Sequence, residues 1–287
     1  MTSLNRRRRS RRLNQLFAFV VVVFAMFVLQ NTAAEDQRVL RVAGDPNNLP
    51  FSNDRLQGFE NKIAELIARE LHCRIEYHWR AQRRGFFRET LKSGKVDLVL
   101  GVPAHFDMAL TTAPYYRSSY VFVTRADRNV HVSSFDDPEL HKLKVGVQLV
   151  GTDGVDTPPA HALATRGIVN NVIGFTLYGD YTQRNPPARI VDAVANGDVD
   201  VAIAWGPLAG YFANQSKTPL QVTPVAPERD GPLRFAFDIS LGVRKNDTEL
   251  RDQLNEFVTN HHDEIDRILS DYNVPRVTSE AHFTSAK

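Results

Sequence analysis

The sequence predicts an α/β fold of two similar lobes joined by a hinge, with a central cleft between them. Three observations carry this. Short apolar strands alternate with helical segments over residues 39–100, and the alternation starts again over residues 143–204. The two runs match at a constant offset of 103, Leu40-Arg41-Val42 against Leu143-Lys144-Val145 and Gly94-Lys95-Val96-Asp97 against Gly197-Asp198-Val199-Asp200. Two further apolar strands, Tyr120–Thr124 and Phe237–Val243, lie outside both runs and give the chain a way out of the first lobe and back into it.

Each element has its own signal. Val39–Ala43 reads as a strand, and Gly58–Leu71 as an amphipathic helix with Ile63, Leu66, Ile67 and Leu71 at helical spacing. Arg74–His78 is a strand, Phe86–Leu91 a short helix stopping near Gly94, and Val96–Leu100 a nearly all-apolar strand, as in a sheet covered on both faces. In the second run, Leu143–Val147, Asn171–Phe175 and Val199–Ala204 read as strands, and Pro158–Thr165 and Ala188–Ala195 as helices. Each run closes near a proline, Pro103 and Pro207. The tail Thr248–Leu269 reads as one helix, with Leu250, Leu254, Phe257, Ile265 and Leu269 apolar. Lobe one is therefore expected over residues 38–124 with 236–275, lobe two over 130–230, and a tail over 276–287.

Residues 1–34 read as a secretory signal peptide: a basic cluster from Arg6 to Arg12, a 14-residue apolar run Leu16–Leu29, then Thr32-Ala33-Ala34. A spanning helix needs about 20 residues. Removing the six arginines of this segment leaves 29 basic and 33 acidic residues, a net charge of −4, so the basic pI is no argument for nucleic-acid binding. The lone cysteine, Cys73, makes no internal disulfide and is expected to be a buried thiol just before a strand.

Residues 38–275 resemble bacterial extracellular solute-binding proteins. The resemblance rests on Leu40–Ala43, Asn48-Leu49-Pro50-Phe51, Gly58-Phe59-Glu60, Gly94–Leu98, Pro114-Tyr115-Tyr116, Val145–Gln148 and Asp198–Ala202. A narrower set is more distinctive: Asp45–Asn53, Gln82–Phe86, Pro114–Val123, Gln148–Gly154, Thr157–Leu163 and Trp205–Tyr211. These segments are similar to the quinoprotein-dehydrogenase-associated group of the MxaJ/XoxJ type. The resemblance implies the periplasmic binding fold, a periplasmic location and association with a PQQ-dependent methanol dehydrogenase and its cytochrome c.

Amino-acid-binding members of that fold grip the ligand carboxylate with an arginine. Counting from Gly101 puts Met108 at that place, and aligning on Val199-Asp200 puts Trp205 where an aspartate would take the ligand ammonium. A zwitterion buried there would lack charged partners, so a free amino acid is a poor ligand. The loop bearing Asp45, Asn47, Asn48, Pro50 and Phe51, and the loop bearing Thr152 and Asp153, follow strands and are expected to face the cleft. Turn chemistry explains the same residues equally. Trp79, Arg83, Arg84 and Phe86 form either a partner-binding rim or a solvated loop. The neighbouring His261 and His262 read as a solvated polar face.

No enzyme motif is present, and no pattern predicts a bound cofactor or metal. An accessory protein of the dehydrogenase is the leading expectation. A transporter's solute-binding protein for a small non-amino-acid ligand is the alternative, and an enzyme grown on the binding fold is the third.

Overall fold

The computed structural model of the protein describes residues 38–150 and 157–278. The expected signal peptide and the Thr152–Asp153 loop lie outside the described residues. Among the described residues, nine strands of five or more residues carry the fold: β1 Val39–Gly44, β2 Arg74–Trp79, β3 Leu98–Pro103, β4 Tyr116–Arg125, β5 Val145–Leu149, β6 Val172–Thr176, β7 Val201–Trp205, β8 Leu220–Pro224 and β9 Ala236–Val243. The helices are α1 Phe59–Glu70, α2 Phe86–Glu89, α3 Pro158–Thr165, α4 Arg189–Asn196, α5 Gly206–Gln215, α6 Thr248–Asn260 and α7 His262–Asp271.

The strands run β2-β1-β3-β9-β4-β7-β5-β6 across one continuous sheet, with β8 on the other edge of β4. The strand β4 joins the halves. Its first part, Tyr116–Ser119, pairs antiparallel with Ala236–Ile239, and its second part, Tyr120–Thr124, pairs antiparallel with Val201–Trp205. Strand β9 returns to pair with β3. Side chains alternate across the sheet, as the two-residue period of a strand requires. Val121 and Val123 enter the large core cluster that also holds α1, α4 and α5 residues, while Phe122 enters the cluster on the opposite face with Val145, Val201 and Ile203.

The 103-residue offset is a structural repeat. Val42 pairs with Leu98 and Ala43 with Val99; at 103 residues on, Val145 pairs with Val201 and Gly146 with Ala202. The repeat extends to side chains. The Asp97 carboxylate accepts from the Arg41 backbone N–H at 3.0 Å, and the Asp200 carboxylate accepts from the Lys144 N–H at 2.9 Å. Lobe one elaborates the theme: Asp97 also accepts from the Arg41 guanidinium at 2.7 and 2.9 Å and pairs with Arg244 at 2.9 Å. Burial acts to raise the Asp97 carboxyl, but the Arg41 bonds and the Arg244 charge outweigh it and hold the group below its ordinary value. Asp97→Asn is therefore expected to cost about 1–3 kcal/mol, and more than Asp200→Asn, whose carboxylate meets Arg128 at 3.3 Å. Urea unfolding at pH 7 measures both, and equal costs would contradict the assignment. Because the folded value is depressed, the wild-type contribution is present at neutral pH and lost as pH falls through the carboxylate range.

Most expected elements fall where the periodicity puts them, α3 at its expected limits, and Cys73 is buried immediately before β2. The tail differs. The helix expected over Thr248–Leu269 is two helices broken at His261. The break lays the His261 ring on Phe257, 4.9 Å between centroids, and lets it meet the carboxylates of Glu264 and, at 3.1 Å, Glu70 at the end of α1. His261 thus ties two helices together rather than facing solvent, whereas His262 is exposed. Among the described residues, no helix is long and apolar enough to cross a membrane.

Candidate functional site

A cavity of about 260 Å³ opens where β4 leaves β9 and meets β7. Its described walls come from the carboxyl ends of parallel strands, where ligand crevices of α/β sheets form. Gly101 and Pro103 end β3, Gln148 lies near the end of β5 with Val150 just after it, and Trp205 ends β7. Tyr116, Tyr120, Phe237 and Ile239 come from the joining strands, Phe51 and Gln82 from lobe-one loops, Tyr178 from the segment after β6, and Glu60 from the first turn of α1.

Aromatic rings dominate. Trp205 meets Tyr120 edge-on at 5.3 Å and Phe237 at 6.0 Å. Phe51 leans on Phe59 at 5.3 Å, and Phe59 meets Tyr116 at 6.2 Å. Gln148 locks the lobe-two wall: its amide donates to the Tyr178 hydroxyl at 2.9 Å, and its carbonyl accepts from the Trp205 N–H at 2.9 Å.

Glu60 is the exception among these neutral groups. Its residue is 7 % exposed, and Oε1 has no hydrogen-bond partner among the described residues. Burial pushes its carboxyl up to about 8. Burial also raises Tyr116 well above its ordinary value, with Glu60 adding to the effect, and raises Tyr178 to about 12. A bulge in β3 makes room for the carboxyl. Ser240 pairs with Val102 but Gly242 with Val99, so β3 carries one extra residue there, and Gly101 takes a φ of +70°. A glycine in the left-handed region is the usual device for such a bulge.

The expected site residues divide. Phe51 and Trp205 line the cavity. Asp45 lies just behind it, buried, accepting from the backbone N–H of Asn47 at 3.0 Å and of Gln82 at 2.8 Å, so its work is to fix two loops. Burial raises its carboxyl, and those two bonds oppose the rise. Asn48 donates to the Gln82 side chain at 2.9 Å, and Pro50 is buried in the same turn. Asn47 reaches the Asp180 and Gln183 carbonyls at 3.3 and 2.7 Å, in a separate polar groove with Arg55, Tyr181 and Arg184.

Three expected site residues are corrected. Met108 is exposed and lies with Leu91, Asp107 and Arg244 in a different pocket. After Pro103 the chain turns back, and Leu110–Thr111 pairs with Gly242–Val243, carrying Met108 to the end of the sheet away from the cavity. Counting seven residues on from Gly101 ignores that reversal. Phe86 is not on a rim. It is buried in the lobe-one cluster with Ala43, Leu91 and Val99. Trp79 stacks on Tyr77 at 4.5 Å and covers Gly44, so it too is packing. Arg83 and Arg84 are exposed.

Residues 40–274 match the bacterial extracellular solute-binding proteins, family 3, and the chain belongs to that family. Within it the chain groups with proteins of the MxaJ/XoxJ type. It is 32 % identical to protein MoxJ of Methylorubrum extorquens over 257 residues, covering 85 % of this chain and 83 % of MoxJ. The crystal structure of periplasmic binding protein XoxJ from Methylobacterium extorquens AM1 superposes with a TM-score of 0.68 at 32 % identity, over 83 % of this chain and 99 % of XoxJ. MxaJ from Methlophaga aminisulfidivorans MPT gives a TM-score of 0.72 at 26 % identity, over 83 % of this chain and all of MxaJ.

Proposed function

We propose that the protein is a periplasmic, non-catalytic accessory protein of a PQQ-dependent methanol dehydrogenase and that it binds the dehydrogenase directly. The observation that carries this reading is similarity to MoxJ along most of both chains, together with the distinctive segments at Asp45–Asn53, Gln82–Phe86 and Trp205–Tyr211. In this reading residues 1–34 are removed on export, residues 38–124 with 236–275 form one lobe, residues 130–230 the other, and 276–287 a tail. The pairing of β9 with β3 and the split pairing of β4 support those limits.

In this reading the contact surface lies at the mouth between the lobes. Arg83 and Arg84 are exposed there, and the Arg83 guanidinium stands against Gly179 of the opposite wall. A partner touching both would cover the cleft mouth, as a specific interface of about 1,200–2,000 Å² requires. Biolayer interferometry against the dehydrogenase tests this. Arg83→Glu with Arg84→Glu is expected to weaken binding at least tenfold, mainly through a slower association rate. Unchanged binding moves the surface elsewhere, and no wild-type binding at micromolar concentration overturns the reading. The aromatic-lined cavity favours a second reading, a transporter's solute-binding protein for a small non-amino-acid ligand, which predicts recognition by a permease instead.

A further inference from the structure

Glu60 is the feature of the cavity that packing does not explain. It sits on the buried stripe of α1, with Ile63, Ala64 and Ile67 at the following positions of the same face. An acid on that stripe, with an unpaired buried oxygen, is costly unless something else completes its bonding. The fold also makes room for it. A Cβ on Gly101 would come within 2.4 Å of Glu60 Oε1, so the bulge in β3 leaves space where the carboxyl stands.

What surrounds the carboxyl sets the chemistry. Tyr116, Tyr120, Trp205 and Phe237 present rings to the same cavity, and ring faces attract organic cations. Among the described lining residues, no Lys, Arg or His is present, and Glu60 is the one carboxylate. An amino acid would bring a carboxylate with no basic partner here, so the grounds for excluding it lie in this lining and not in Met108. The volume, about 260 Å³, falls just below the range of roughly 300–1,000 Å³ for drug-sized ligands.

We propose that the cavity binds a small organic cation, an aryl- or alkylammonium without a carboxylate, whose ammonium pairs with Glu60 while its apolar part packs on the aromatic rings. The proposal goes beyond the dehydrogenase association and stands separately from it. The titratable groups that face Glu60 are Tyr77, Tyr115, Tyr116 and Tyr178, all raised chiefly by burial, so none carries charge near neutral pH. With its own carboxyl at about 8, Glu60 is mostly protonated at pH 7, and pairing with a cation releases that proton to solvent.

Isothermal titration of the purified protein at pH 7 with 2-phenylethylamine, and with 2-phenylethanol as its neutral isostere, tests the proposal. Running each in two buffers of different ionisation enthalpy counts protons. The amine is expected to bind at least tenfold more tightly than the alcohol and to release close to one proton. Glu60→Gln is expected to weaken the amine at least tenfold, abolish the proton release and leave the alcohol unchanged. Alcohol binding as tight as the amine, a Glu60→Gln variant that binds the amine undiminished, or no amine binding at millimolar concentration overturns it. If circular dichroism shows that Glu60→Gln does not fold, Glu60→Asp replaces it, with weaker binding and retained proton release expected; undiminished binding in that variant also overturns the proposal.

Discussion

Replacing Gly58 by Ala is expected to destabilise the protein by at least about 3 kcal/mol and to weaken binding in the cavity. The reason is space and not backbone conformation, since Gly58 has φ −84° and ψ 158°, which any residue adopts. A Cβ there would lie 2.0 Å from the Phe51 carbonyl oxygen, 2.3 Å from its carbonyl carbon and 2.6 Å from the Ser52 Cα. Those atoms are backbone and are held in place. The Phe59 N–H donates to the Pro50 carbonyl at 2.8 Å, the Glu60 N–H to the Phe51 carbonyl at 2.9 Å, and the Asn53 N–H to the Asn61 side chain at 3.1 Å. Relief requires the loop to lift from α1, losing bonds worth about 0.5–1.5 kcal/mol each and withdrawing Phe51 from both Phe59 and the cavity. Gly94→Ala is the control. Gly94 has a φ of +74° and no atom within 4 Å of an added Cβ, so only the left-handed backbone is penalised, at about 1–2 kcal/mol. Urea unfolding of the two variants decides the matter; a Gly58→Ala cost no larger than that of Gly94→Ala would show that the loop yields freely.

The scaffold was legible because periodicity and repetition are properties of the chain itself. Two four-residue strings at one offset, ending in Asp97 and Asp200, located both halves of the sheet, and the structure gives the two aspartates the same backbone bond. Local rules failed where tertiary contacts decide. Apolar spacing continues through Leu254, Phe257 and Ile265 as if through one helix, yet His261 breaks it, because its ring has Phe257, Glu264 and Glu70 to meet. The two arginines before Gly85 suggest an exposed rim at Phe86, but a short helix turns it inward. The count from Gly101 to Met108 runs along a segment that reverses, and counting carries no information about reversal. Glu60 carries its own signal in the sequence. On a helical wheel it shares a face with Ile63 and Ile67, and a carboxylate on an apolar stripe has to be explained. Tyr116 with Tyr120, Tyr178, and Phe237 converge from three separate stretches of chain, and nothing in the one-dimensional order brings them together.

The same Glu60 carboxyl is expected to make the stability of the protein fall as pH rises through a defined window. Its folded value, about 8, lies above the ordinary 4.5. Between those values the folded state holds a proton that the unfolded chain has released, so raising the pH favours unfolding. Below about 4.5 both states are protonated and the burden is absent; above about 8 it is complete. Glu60→Gln keeps the shape of the protonated acid and cannot ionise. Relative to wild type it is expected to be near neutral in effect at pH 4.5 and to gain on the order of 3 kcal/mol by pH 7. The helix N-terminus, which favours an anion at this position, offsets only about 0.3–1 kcal/mol of the burden. Ionisable groups other than Glu60 are common to both proteins and drop out of the difference. Urea unfolding at half-unit pH steps from 4.5 to 8 measures it. Parallel profiles for wild type and variant would mean that Glu60 ionises in the folded protein as readily as in the unfolded chain. A difference that vanishes once 2-phenylethylamine is added would show the carboxylate finding, in a bound cation, the partner that the protein itself does not supply.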